Sequence, residues 1–294
     1  VSSVTVNGAL TFSGNSGVTV ASLNPYSTIS FGSNPSLYLT SATFRSNPSF
    51  SGTNYLYIST LTTTTNLTVP VNQTLTQHAA GKWYVGGILT VAGDLVQDTL
   101  GTWTTSDDLV VNGGGLLTHN VNSAALERRL DITVGGDLIV NTGGEIKADG
   151  KGYSTGGPGA GGNSVNDGGG GGGHGGAGGR GGNAVNGGPA HDSFNLPVDL
   201  GGKGGDAYNF ATAPGGPGGG YIKLAVAGAS TVNGTISADG GAGADGTAST
   251  TYGAAGGGAG GSIHMLLNTL GGTGVIRARG GPAGDDANGA ADAA

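Results

Sequence analysis

Through the first 80 residues, small polar side chains alternate with β-branched and aromatic ones, as in Val4-Thr5-Val6 and Tyr55-Leu56-Tyr57-Ile58. Asn7-Gly8, Asn24-Pro25, Asn34-Pro35 and Asn47-Pro48 interrupt these runs. A period of two with such punctuation predicts short strands joined by turns. The only helical candidate, Ala124 to Arg129, is too short to stand alone.

From about residue 86 the pattern becomes rung-like. Gly87-Ile88-Leu89-Thr90-Val91, Asp108-Leu109-Val110-Val111, Leu130-Asp131-Ile132-Thr133-Val134 and Asp137-Leu138-Ile139-Val140 are brief aliphatic runs, each followed closely by Gly or Asn-Gly. Strands this short cannot bury a face alone, but the stacked coils of a solenoid bury them against one another. One template recurs: Gly144-Glu145-Ile146-Lys147-Ala148-Asp149-Gly150, Gly234-Thr235-Ile236-Ser237-Ala238-Asp239-Gly240 and Gly274-Val275-Ile276-Arg277-Ala278-Arg279-Gly280. In each copy the Ile and Ala, two apart, share a face that the pattern assigns to the core; Lys147, Ser237 and Arg277 between them are assigned to solvent.

A glycine-rich segment, roughly 151 to 219, separates the first copy from the second. In Gly172-Gly173-His174-Gly175-Gly176-Ala177-Gly178-Gly179-Arg180-Gly181-Gly182 every third residue is not glycine, and Gly201-Gly202-Lys203-Gly204-Gly205-Asp206 repeats the cadence. A left-handed threefold helix, the glycine analogue of polyproline II, places residues three apart on one face and leaves two faces bare for neighbouring backbones. The alternative is a flexible glycine linker. Composition alone favours the linker; the cadence, with Tyr153, Phe194, Leu196, Tyr208 and Phe210 as anchors, sets the ordered bundle beside it as an equal expectation, in which the glycines flanking His174, Ala177 and Arg180 have no room for a Cβ.

The strand followed by Gly-x-Ile-x-Ala-x-Gly and then by Gly-Gly-x-Gly-Gly resembles the glycine-rich repeat region of large bacterial cell-surface and extracellular proteins of the parallel β-helix kind. The resemblance covers residues 85 to 294 and implies a surface or matrix role without catalytic residues. The expected fold is all-β: a parallel β-solenoid, or β-helix, with a glycine-rich insert forming a polyglycine II bundle. Its expected divisions are a Thr/Ser-rich β region at 1–80, solenoid rungs at 81–150, the glycine-rich insert at 151–219, and solenoid repeats with glycine-rich loops at 220–294.

Composition narrows the role. Glycine supplies 66 of 294 residues against ten prolines, and the strict triplet of collagen is missing. Eleven Lys and Arg against eighteen Asp and Glu give a net charge of −7, so nucleic acid finds no basic footprint. There is no cysteine, and no apolar run long enough for a membrane-spanning helix. The start at Val1 without an apolar leader suits a mature secreted chain, and the sequons at Asn66, Asn72 and Asn233 agree with an extracellular location.

Candidate chemistry is sparse. Gly201 to Asn209 fits the calcium-binding nonapeptide of repeats-in-toxin proteins throughout and Gly240 to Ala248 fits it except that Thr247 replaces the hydrophobic residue, which makes Asp206 and Asp245 candidate calcium ligands, although that motif works in tandem turns. No other cofactor is expected. Asp107-Asp108 and Asp285-Asp286, with Asp94, Asp131 and Asp137, are the carboxylates from which a polysaccharide-cleaving pair would be drawn. Adjacent residues on a strand, however, point to opposite sides. Trp83, Tyr84 and Trp103 offer a platform for sugar rings or, more simply, core aromatics. The five histidines show no metal-binding spacing. The expected role is a non-enzymatic, self-associating structural subunit of an extracellular fibre, sheath or adhesive surface, its partners being copies of itself. A carbohydrate-binding or carbohydrate-cleaving β-helix touching polysaccharide or a cell surface is the alternative.

Overall fold

The structure is a computed structural model that describes residues 4–6, 10–12, 18–25, 29–31, 36–46, 48–50, 54–78, 80–165, 167–193, 195–209, 211–246 and 253–286. Among these residues the chain is all-β, with strands that run parallel in sheets apart from the antiparallel pair Ala207–Asn209 and Ala211–Ala213; the one helical feature is the 3-10 turn Gly182–Ala184.

Each circuit of the chain lays down one short strand on each of three stacks. The first stack holds Trp83–Val85, Trp103–Thr105, Leu130–Val134, Tyr221–Val226 and Ser262–Leu266. The second holds Leu67–Val69, Leu89–Val91, Leu109–Val111, Leu138–Val140, Ala229–Val232 and Thr269–Gly271. The third holds Gln73–Gln77, Asp94–Gln97, Leu116–His119, Glu145–Lys147, Thr235–Ser237 and Val275–Arg277. The first and third stacks belong to one 15-stranded sheet, because the long strand Asn54–Thr63 pairs with Gln73–Gln77 by its first half and with Trp83–Val85 by its second.

Strands of three residues suffice because alternate side chains turn inward and meet equivalent ones above and below. Leu67, Leu89, Leu109 and Leu138 are consecutive partners, as are Val69, Val91, Val111 and Val140, and all eight are buried. They join one apolar core with Leu95, Leu117, Ile146 and Ile236 of the third stack. Burying each such side chain contributes roughly 1.5–3 kcal/mol relative to leaving it exposed. At the corner before the second stack, side-chain oxygens fasten one circuit to the next. Asn66 Oδ1 accepts from the Ile88 amide at 2.9 Å, Asp108 Oδ1 from Asp137 and Asp137 Oδ1 from Ala229, both at 2.7 Å.

The Thr/Ser-rich beginning belongs to the same sheet system. Val4, Leu23, Ala42 and Leu61 are partners in consecutive strands, and so are Phe12, Phe31 and Phe50 in a smaller parallel sheet. Asn24-Pro25, read above as a turn, instead ends the strand Val18–Pro25. A proline at a strand end forfeits one donor and leaves the rest of the ladder intact. Asn7-Gly8 and Asn34-Pro35 lie outside the described residues.

The aligned isoleucines fall in register, Ile146 with Ile236 and Ile236 with Ile276. The first two are fully buried and Ile276 is 38% exposed, because no strand stacks beyond it among the described residues. Ser237 corrects the expectation of a solvent-facing position: it is buried, in register between Lys147 and Arg277 of the strands on either side.

Passage from the third stack back to the first is direct in the early strands, where Asn54–Thr63 runs straight through. It then widens to 78–82, 98–102, 120–129, 148–220 and 238–261. The last two excursions and residues 278–286 form a bundle of extended glycine segments. Its hydrogen bonds repeat every three residues and radiate in different directions. The amides of Gly201 and Gly204 donate to Gly219 and Gly216, while those of Gly202 and Gly205 donate to Gly173 and Gly170. Packing is close enough that a Cβ on Gly204 would lie 1.9 Å from the Gly256 oxygen, and one on Gly205 1.9 Å from the Gly162 oxygen. Of the expected anchors, Tyr153 is buried with Leu200 and Tyr221 where bundle meets strands, and Leu196 is exposed. Phe194, Phe210 and the Tyr208 side chain lie outside the described residues.

Candidate functional site

Ionisable groups converge at the foot of the bundle. His174 comes from the Gly-Gly-His-Gly-Gly run, His191, Asp192 and Asp199 from the loop that follows, Tyr153 from the start of the excursion, and Ser262 from the last first-stack strand. His174 Nε2 lies 3.3 Å from Asp192 Oδ2 and 3.4 Å from Ser262 Oγ, and the two imidazole rings are 5.1 Å apart. Tyr153 donates to Asp199 Oδ1 at 2.5 Å, and His191 Nε2 sits 3.0 Å from the Leu200 carbonyl. A cleft of about 470 Å³ opens beside His174, Asp192 and Ser262.

Serine, histidine and aspartate in contact invite comparison with a hydrolase triad, but their geometry is wrong for one. A relay needs the serine on one ring nitrogen and the carboxylate on the other. Here Ser262 and Asp192 approach the same nitrogen of His174, and the serine proton is directed to the Asp199 carbonyl at 2.7 Å. Asp192 has a structural occupation: its carboxylate accepts from the amides of Ser193, Val198 and Asp199. Burial pushes its pKa up, yet those amides and His174 outweigh it and hold the carboxyl below its ordinary range. Burial and the neighbouring His191 push His174 down, against the pull of Asp192 and a hydrogen bond with Gly260. Tyr153 is raised, first by burial and then by its bond to Asp199. The cluster pins loop 192–199 and the bundle to the strand stack.

A second buried histidine closes the junction from the other side. His119 Nδ1 meets the Asn120 carbonyl at 2.8 Å, and its Nε2 accepts the Tyr221 amide at 3.2 Å. Burial depresses its pKa to about 4, keeping the ring neutral and able to accept.

The candidates read from the sequence take other places. Asp206 is paired with Lys203 and accepts the Gly215 amide at 2.7 Å, and Asp245 accepts the Asp285 amide at 2.9 Å. Among the described residues no three His, Asp or Glu side chains are grouped to hold a metal ion. Asp108 and Asp137 bind main-chain amides of the next circuit, and Asp131 is buried against Arg129 and Lys223. Of the two readings of the aromatics, the simpler one, core side chains, holds for the tryptophans. Trp83 and Trp103 are stacked inside the core at 4.7 Å, their indole N–H groups donating to the Ile58 carbonyl and Gln77 Oε1, and Tyr84 alone of the three is exposed. They point inward because they continue the alternation that buries Leu61 and Ile132 in the same register.

Exposed ends and edges, on which the expectation of self-association rests, have a counterpart at the last described strands of the stack. The strands Ser262–Leu266, Thr269–Gly271 and Val275–Arg277 each pair on one side only among the described residues. Leu266, Leu270, Val275 and Ile276 are exposed there, 38–55% of each. Three parallel edges around an apolar cross-section form a template for a further circuit. No protein-family model, no curated protein and no solved structure matches this chain.

Proposed function

We propose that the chain is a parallel β-solenoid with a polyglycine II bundle built into one corner, divided as the sequence suggests near residues 80, 150 and 219. It acts as a self-associating structural subunit of an extracellular fibre, sheath or adhesive surface. The observation that carries this reading is the open end. Parallel register runs from Val4 and Leu23 to Ile236 and Ile276, and the last described strands each pair on one side only among the described residues. A second copy docking its first circuit on those edges continues the ladder and covers Leu266, Leu270, Val275 and Ile276. The inward-turned tryptophans and the carboxylates engaged with main-chain amides supply no support for carbohydrate cleavage. Negative-stain microscopy and sedimentation of the full chain test the proposal. Concentration-dependent filaments that disappear with Ile276→Lys are expected, and a chain that stays monomeric when concentrated overturns it.

A further inference from the structure

A groove of about 520 Å³ runs between residues 168–172, 179–182, 254–259 and 280–283. In segment 253–261, the amides of Ala255, Gly258 and Gly261 donate to Ala244, Gly241 and Ala238, while those of Gly256 and Ala259 donate to Gly205 and Gly202. With a repeat of three, the amide of Gly257 is aimed at the remaining side, which is the groove. Among the described residues it has no partner there although Gly257 is buried, and the amide of Gly179 and the carbonyls of Gly169, Gly172 and Gly281 in the lining segments have none either. Unpaired main-chain groups inside a protein are costly, so donors and acceptors on facing walls describe an extended backbone that fits between them.

The glycines point the same way. Within the bundle a Cβ typically meets another backbone at about 2 Å, as at Gly178, where it would lie 2.1 Å from the Gly171 oxygen. At Gly175, Gly176 and Gly179 it meets nothing, and none of the three has a φ in the left-handed region. This corrects the expectation that every glycine flanking Ala177 is crowded within the chain. Glycine at such positions loses backbone entropy with no local reason, unless another main chain approaches.

We propose that residues 174–182 of a second copy occupy this groove, pairing the two glycine bundles. That segment carries the bare glycines and its residues 179–182 border the groove, while Gly178, Gly181 and Gly182 stay bonded within their own bundle; two copies that lay its open face in each other's groove satisfy each other's free amides and carbonyls, as a self-complementary contact requires. The inference deepens the self-association reading but uses a surface separate from the open end, so the two fail independently.

Sedimentation equilibrium of the full chain carrying Ile276→Lys isolates this contact. A dimer is expected, weakened about tenfold or more by adding Gly179→Val and unaffected by Ala177→Ser. Unchanged hydrogen exchange at residues 168–173 verifies that the bundle survives the valine, and Gly176→Val is the second variant should it not. A dimer indifferent to both valines, or an Ile276→Lys chain that stays monomeric, overturns the inference. A monomer that instead binds a synthetic peptide of residues 174–182 assigns the groove to another glycine-rich partner and overturns the second copy. Filaments persisting in the Ile276→Lys, Gly179→Val chain would instead overturn the end-to-end reading.

Discussion

The strand stack and the glycine bundle solve one problem with opposite materials. In the stack, inward Leu, Ile and Val side chains fill the space between backbones, and the main chain pairs only with the circuits above and below. In the bundle the side chains are deleted, backbones touch directly, and each segment bonds to several neighbours at once. One region is held by apolar burial with hydrogen bonds as register, the other by hydrogen bonds alone. Because glycine loses the most entropy on ordering, the second works only where nearly every amide finds a partner. The two regions therefore tolerate opposite errors: the stack suffers when side chains shrink or gain charge, the bundle when they grow.

Substitutions can break this contrast, beginning with the largest effect. Ile236→Asp places an unpaired carboxylate in the filled part of the core and should cost about 4 kcal/mol or more, whereas Ile276→Asp at the open end should cost about 1 kcal/mol or less. Urea titration of both variants measures the difference, and equal losses would contradict the burial that separates them. Gly205→Ala, the mildest enlargement available, should destabilise the bundle by about 3 kcal/mol, since the Cβ meets main chain that cannot step aside. Hydrogen exchange should then rise at 168–173 while the amides of Leu109–Val111 keep their protection; simultaneous loss in both regions would mean that stack and bundle unfold as one unit.

The junction responds to pH. His119 has a folded pKa of about 4 against 6.5 when unfolded, so between those values the unfolded chain binds the extra proton. Stability is complete above about pH 6.5 and declines as the pH falls toward 4, by about 3 kcal/mol for this group. His119→Gln should flatten that part of the profile in thermal melts at a series of pH values. The smallest effect is at the corner ladder: Asp137→Ala removes the acceptor for the Ala229 amide and should cost about 1 kcal/mol in the same melts, with no change in the bundle.

Strand positions from 89 to 147 were legible because alternation and glycine punctuation act within a few residues, and Leu89–Val91 and Leu138–Val140 lie where the pattern put them. The membership of the first 80 residues in the same parallel system was not seen, although Phe12, Phe31 and Phe50 recur at even spacing. Frequent Thr and Ser blur the apolar half of the alternation there. The glycine cadence foretold close packing without telling which glycines face a neighbour, because that depends on which segments lie alongside. The junction cluster was hidden for a related reason: Ser262 reaches His174 only through the stacking of circuits, and nothing local in either segment announces the other.

Every long excursion leaves from the third stack and returns to the first at the same corner, so the chain must always go out and come back. Whether the detour is 98–102 or 148–220, the strands on either side of it keep their parallel register with the circuit before. A lineage can lengthen or prune this region two passes at a time without shifting the register of a single strand. An odd number of passes has no route home, which makes parity the rule by which such a molecule can evolve or be redesigned.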